Sequence, residues 1–432
     1  MPELDGWSPL PDRADPIALL EAQEQTRIPW LIPERHRRMA ASAFAFFRGS
    51  PVVMASDLGR ASHSGLEVQL CGDAHLLNFG FYASPERALL FDINDFDETV
   101  RGPFEWDLQR LVCSLVIAAQ FLHLSAAWQE RVARHAARAY RKEMQRLADR
   151  SRIDVWYRRI DVDALIAELP ERPFRAHLQQ VAAQARQRDS RQAVRRLCTT
   201  AADGQLQIRH APPLIWRHAE MDAEPGLDGP LQQRVERTYA GYLESVRPEL
   251  RRFLSGYRLV DTASKAVGVG SVGTRCSIGL LVGSREDDVL VLQSKQAEPS
   301  VLAPFATSPS PAHQGQRVVE GQRLMQTVSD PLLGWTRNAH HEHLYWRHFR
   351  DWKGSVLLES LDSGGLDLYG KLCGATLAKA HARSGDRMAL AAFMATGRRF
   401  DEGIAAYGLA YAAQSQRDYQ RFLAASGQSP PS

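Results

Sequence analysis

The spacing of apolar positions changes character several times along the chain. Residues 1–30 open with a lead punctuated by Pro and Asp, which predicts an extended arm. Residues 35–47 (RHRRMAASAFAFF) are compatible with a helix, which Gly49, Ser50 and Pro51 break. Two short apolar pieces follow, GLEVQLCGD at 65–73 and ALLFDINDFDE at 88–98. Both are rich in strand formers and end in acidic or turn residues, so both predict short strands that deliver polar side chains at their ends. From about Trp106 to about Arg252 the chain is charged and rich in Ala, Leu and Arg, with the period of helices. Near Tyr257 β-branched runs begin to alternate with glycines, and residues 258–297 predict three antiparallel strands joined by two turns. After a Pro/Ser loop at 298–315, GQRVVEGQRLMQTV (315–328) predicts a helix and HLYWRHF (343–349) a strand; Asp367 to Phe422 predicts helices again. No internal repeat is present, and the Pro/Ser loop is the one low-complexity piece.

A chain of 432 residues, 44% apolar and 24% charged, is long enough for two or three compact units and excludes disorder over most of its length. Its 53 basic and 50 acidic side chains leave a net charge of +3, too little to imply a polyanionic partner, so nucleic acid is not expected. The Arg-rich stretch QARQRDSRQAVRR (184–196) lacks aromatic interleaving and reads as a solvated helix face. Cys71, Cys113, Cys198, Cys276 and Cys373 are odd in number and show no CxxC spacing, which argues against a disulfide framework or structural zinc. The start of the chain shows no signal-peptide pattern, and no apolar run is long enough to cross a bilayer. A cytoplasmic location without membrane association is the expectation.

Three constellations carry chemistry. In Cys71-Gly72-Asp73-Ala74-His75-Leu76-Leu77-Asn78 an Asp precedes an Asn by five positions, the spacing of a phosphotransferase loop in which the Asp takes the substrate proton and the Asn holds a metal ion. A polar turn after a strand would read the same way. In FDINDFDE (91–98) four acids cluster, a density that burial penalises unless cations or hydrogen bonds compensate. The third is Gly268-Val269-Gly270-Ser271-Val272-Gly273. A dinucleotide-binding turn would open a helix here, but TRCSIGLLVG follows, and a glycine-rich hairpin over nucleotide phosphates fits better. Lys295 then stands alone inside the apolar run VLVLQSKQA, suited to pair phosphates, and Glu320 is the natural helix acid to hold it, on a line with Leu324 and Val328. Snorkelling for the lysine and solvation for the glutamate are the plain alternatives. Arg48, Arg347, Asp351 and Lys353 lie near element ends and could touch phosphate or substrate, with ordinary surface pairing the plainer reading for each, and His381 reads as a structural helix residue.

The GDAHLLN segment resembles the catalytic loop of the kinase-like superfamily, particularly aminoglycoside phosphotransferases, with Cys71 in place of that group's first His; LAKAHA, which contains His381, resembles the helix that precedes the loop. The resemblance implies that Asp73 is the base, that Asn78 and Asp95 hold metal, and that Gly268, Gly270, Ser271, Gly273, Lys295 and Glu320 form the nucleotide site. The twelve-residue interval from Asp95 to Asp107, with Gly102-Pro103 between, favours Asp95; Asp92, at the end of the ALLF run, is its rival. The order of these motifs is reversed relative to kinases, which implies circular permutation. The implied fold is α+β and two-lobed: residues 1–256 form the catalytic loop and helical part of a large lobe, 257–350 a small β-rich lobe, and 351–432 the helices that complete the large lobe. The implied partners are ATP, Mg2+ and an unspecified small-molecule or protein acceptor. AMP transfer from the same site, or a non-catalytic nucleotide-sensing module, are the alternatives. The whole pattern, GDAHLLNFG, FDINDFDE, GVGSVGTR and LQSKQA together, is also similar to a bacterial domain-of-unknown-function family, number 2252.

Overall fold

The computed structural model describes residues 7–169, 173–221, 230–265, 272–285, 287–309, 311–349 and 351–428. The fold is α+β. Among the described residues the strands are β1 (Glu67–Leu70), β2 (Phe79–Ala83), β3 (Leu89–Ile93), β4 (Val100–Pro103), β5 (Cys198–Thr200), β6 (Leu206–Ile208), β7 (Ile215–Arg217), β8 (Arg258–Lys265), β9 (Cys276–Val282), β10 (Val289–Gln296), β11 (Gly334–Arg337) and β12 (His343–His348). Six of them form one antiparallel sheet in the order β11-β12-β10-β9-β8-β7, and three two-stranded ladders pair β1 with β4, β2 with β3 and β5 with β6.

The helical part is organised around Phe104–Phe121, whose residues 104–119 are all buried. A helix buried on every side belongs to the middle of a core. Ala126–Ala148, Ser363–Ser384 and Arg398–Ser426 pack with it, and their buried side chains join those of β1 to β4 in one hydrophobic cluster. The ladders of β1 with β4 and of β2 with β3 therefore rest directly on the helical core. The first helix, Pro16–Glu24, packs against Arg398–Ser426: Leu20 shares a cluster with Tyr419 and Phe422, and Arg13 pairs with Asp418 at 2.7 Å. The first and last helices of the described residues thus lie together.

The six-stranded sheet is covered on one face by Leu231–Ser245 and Pro248–Leu254, through Tyr239, Tyr242 and Leu254 against Leu281, Leu290, Leu292 and Trp346. The sheet so draws in β7 and two helices that precede residue 256. β5, β6 and β7 interrupt what the sequence reads as a purely helical stretch; each is only three residues long, too short to register as alternation. The segment 35–47 is two helices, Ile32–Met39 and Ala43–Gly49, because Ser42 caps the second by accepting from the Ala45 N–H at 3.0 Å. Among the described residues no helix is long and apolar enough to cross a membrane.

Candidate active site

The loop after β1 is built on Asp107, in the first turn of Phe104–Phe121, where a carboxylate is favoured by the helix dipole. Its Oδ2 accepts the Cys71 N–H at 2.8 Å and its Oδ1 the Gly72 N–H at 2.9 Å. Gly72 has φ +84°, and a Cβ there would lie 2.0 Å from the Glu98 carbonyl oxygen, so the position needs glycine. His381, fully buried on Ser363–Ser384, approaches Asp107 Oδ2 through Nε2 at 3.2 Å and shares a hydrogen bond with Tyr140 through Nδ1 at 2.8 Å. This network joins the helix Ser363–Ser384 to the loop.

Within the loop, Asp73 Oδ1 accepts from Arg110 Nε at 2.8 Å. Arg110 is fully engaged, since Nη2 donates to the Phe47 carbonyl at 2.7 Å and its guanidinium lies 3.8 Å over the Phe47 ring. Asp73 Oδ2 has His75 Nε2 at 3.7 Å. Burial, reinforced by Arg48 and Arg110, holds His75 well below the usual histidine range, so the ring is neutral at pH 7. Asn78 donates through Nδ2 to the Asp73 carbonyl at 2.7 Å, which leaves its amide oxygen for another partner.

Asp92 and Asp95, the rivals for a metal, and their neighbour Asp97 have three separate environments. Asp92 lies in β3, where all five residues are buried, and forms an ion pair with Lys379 of Ser363–Ser384; the two residues are 2% and 1% exposed. The structure thus places Asp92, the rival metal ligand of the sequence, as an anchor between β3 and that helix. Asp95 has no cation within ion-pair distance among the described residues, and burial together with neighbouring Asp97 raises it above the ordinary carboxylate range. Burial acts in the same sense on Asp97 but is outweighed by Lys295, whose Nζ lies 2.8 Å from Oδ2, and by Tyr345, whose hydroxyl donates to Oδ1 at 2.5 Å. Lys295, opposed by burial and favoured by Asp97, is held well above the usual lysine range. Glu98 accepts the Val301 N–H at 2.7 Å, and burial pushes it up to about 7.

The register of the sheet explains the meeting. Lys295 stands opposite Cys276 on β9 and Tyr345 on β12, and Gln293 opposite Arg347, so these side chains project from one face toward the acidic loop. The helix Gln314–Met325 locks that loop in place through Arg317, which donates to the carbonyls of Thr99 at 2.5 Å, Asp97 at 2.8 Å and Glu298 at 2.7 Å. Glu320 does not reach Lys295. It is exposed and accepts from Gln316 at 2.7 Å, because the inward line of the helix runs through Val318, Gly321, Gln322 and Met325. Arg317→Met is expected to destabilise the fold by about 2–4 kcal/mol, since it strips buried carbonyls of a charged donor. Glu320→Gln should stay within about 0.5 kcal/mol, a surface change. Urea unfolding of both variants checks the contrast.

Asp73, Asn78, Asp95, Asp97 and Glu98 line a single cavity of about 90 Å³, together with Arg27 and Arg48. Arg347 and Lys353 line a neighbouring cavity of about 350 Å³. Burial, reinforced by Arg347, pushes Lys353 down to about 7 even though Asp95 opposes the shift. Gly268, Gly270 and Ser271 lie outside the described residues. Gly273, at the end of that segment, has φ +93°, and its carbonyl accepts the Ile28 N–H at 2.8 Å. Asp95 and Asn78 supply hard oxygen donors; no cluster of three or more His, Cys, Asp or Glu side chains stands ready for a metal among the described residues.

The sequence matches, over residues 27–425, a family described as an uncharacterized protein conserved in bacteria, DUF2252. The chain belongs to this family. No curated protein and no solved structure matches it. The span that makes it a DUF2252 protein contains every side chain of the cavity except Gln23, so the acidic loop, the Asp107 network and Lys295 all fall inside it. Reading the DUF2252 sequence alone misses Asp97, Tyr345, Arg317 and Arg110 as parts of the site. Asp97 sits inside the acidic cluster, but spacing does not tell which acid takes the lysine. Tyr345 emerges only from the pairing of β10 with β12.

Proposed function

We propose that this DUF2252 protein binds ATP with Mg2+ and transfers a phosphoryl group to a hydroxyl acceptor, on a kinase-like fold in circularly permuted order. The observation that carries the reading is the ion pair of Lys295 with Asp97, 198 residues apart in sequence and two positions from Asp95. A strand lysine and a loop of carboxylates so converge beside Asp73 and Asn78. The position of His381 supports the permuted order, because Asp107 links the helix Ser363–Ser384 to the loop at Cys71 and Gly72 by packing and hydrogen bonds rather than by chain connection. The packing of the first described helix against the last fits the same reading.

Asp95 and Asn78 are the residues that would hold the metal. Asp95 is a half-buried carboxylate with no ion-pair partner among the described residues, and Mg2+ characteristically takes one or two protein oxygens while keeping its waters or substrate phosphates. Bound there, it would neutralise charge on the triphosphate. Lys295 would orient phosphate oxygens, with Asp97 and Tyr345 fixing its ammonium, a place the sequence reading assigns to Glu320. Asp73 would orient the acceptor hydroxyl and take its proton on Oδ2, since Oδ1 is engaged by Arg110. Incubation with ATP labelled at the γ- or the α-phosphate, across a pool of hydroxyl metabolites and proteins, tests the reaction. Transfer of γ-label supports phosphotransfer; transfer of α-label alone replaces it with AMP transfer.

Lys295→Met is expected to remove most of the rise in unfolding temperature given by millimolar Mg-ATP while the variant remains folded. A thermal scan that shows the same rise in native protein and variant would contradict the role of Lys295.

A further inference from the structure

The cavity beside Asp73 contains cationic groups that the phosphotransfer reading does not use. Arg48 ends the helix Ala43–Gly49, and its setting is built: Gly49 packs so closely on Met39 that a Cβ would lie 2.5 Å from that side chain, Ser50 Oγ donates to the Phe46 carbonyl at 2.7 Å, and Pro51 starts the next helix. These contacts hold the backbone on both sides of Arg48 while its guanidinium lines the cavity with Asp73, Asn78 and Asp95. Its Nε is buried without a hydrogen-bond partner, and no ion pair reaches it among the described residues. Arg27, 7% exposed, lines the same cavity; Nη1 donates to the Val272 carbonyl at 2.6 Å, but its Nε too is buried without a partner. Arg110 supplies the contrast, since it lies beside the same Asp73 with its hydrogen bonds made.

A guanidinium whose Nε donor is buried and open is unfavourable unless an anion arrives to fill it. Two such groups face one cavity here, and neither belongs to the sheet that carries Lys295. Of the carboxylates, Asp73 acts most strongly on Arg48, and both side chains line the cavity. Arg48 therefore lies on the side where the hydroxyl would be activated. We propose that Arg48, with Arg27, binds an anionic oxygen group of the acceptor, so that the substrate is a hydroxyl compound bearing a phosphate or similar anion. The assignment of this anion to the acceptor rests on the phosphotransfer reading; the anion site itself does not.

The test uses the intact protein with two probes, inorganic phosphate and the non-hydrolysable analogue Mg-AMP-PNP, each read as a rise in unfolding temperature. Phosphate should raise it alone, and again on top of saturating Mg-AMP-PNP. Arg48→Gln should weaken apparent phosphate affinity about tenfold or more, the loss of a charge-assisted contact, and leave the Mg-AMP-PNP shift intact. Arg48→Lys, which keeps the charge in place, should recover part of the phosphate response and serves also if the glutamine variant does not fold. A phosphate response that is absent from the native protein, or unchanged in both variants, overturns the proposal. So does one abolished by Mg-AMP-PNP, because the phosphate then occupied the nucleotide's place. A phosphate response that depends on Arg48, in a native protein that shows no Mg-AMP-PNP shift, sustains the anion site while the phosphotransfer reading fails.

Discussion

Asp73→Asn is expected to lower turnover by about 10²–10⁴-fold while Mg-ATP still binds, because the substitution removes the proton-accepting oxygen and leaves the loop's anchors untouched. Those anchors are backbone N–H groups of Cys71 and Gly72 on Asp107, and the Asn78 amide on the Asp73 carbonyl; none involves the Asp73 carboxylate. The side chain does accept from Arg110, and an asparagine oxygen can replace that bond. Steady-state rates with the acceptor, set beside a nucleotide-binding isotherm, separate the two effects. Equal loss of binding and turnover would place Asp73 in the nucleotide site instead.

The second large effect concerns stability. Lys379→Met should destabilise the protein by about 3–5 kcal/mol, since it leaves the Asp92 carboxylate buried and without its partner. The double variant Asp92→Leu, Lys379→Met should regain most of that loss, because replacing both members of a buried pair by apolar groups is often neutral. Denaturant unfolding measures both. If the double variant is no more stable than Lys379→Met, the pair is not the source of the deficit. Nucleotide binding should survive in the double variant, in keeping with a structural place for Asp92.

Comparison of sequence and structure shows which physical signals are local. The strand Glu67–Leu70, the loop from Cys71 to Asn78 and the acidic run are legible because short apolar runs and fixed spacings survive in any fold. The lysine strand is legible for the same reason. What fails is the choice among neighbours on one element. Asp92, Asp95 and Asp97 differ by two or three positions, yet one is buried in a strand against a helix lysine, one lacks a cation, and one meets Lys295. Likewise Glu320 and Arg317 share a helix, and only the packing of Val318 and Met325 determines that the arginine turns inward. Arg27 is illegible for another reason: the segment that reads as an extended arm is stitched to the end of the glycine-rich segment by Arg27 donating to the Val272 carbonyl and the Ile28 N–H to the Gly273 carbonyl, each across 245 residues.

The central claim is that Lys295 and Asp95 serve one nucleotide site. Isothermal titration of Mg-AMP-PNP into the native protein, Lys295→Met and Asp95→Asn tests it most directly. One site per chain in the native protein, with affinity about tenfold or more lower in each variant, is the predicted result. Absence of binding to the folded native protein, or binding that neither substitution weakens, would contradict it.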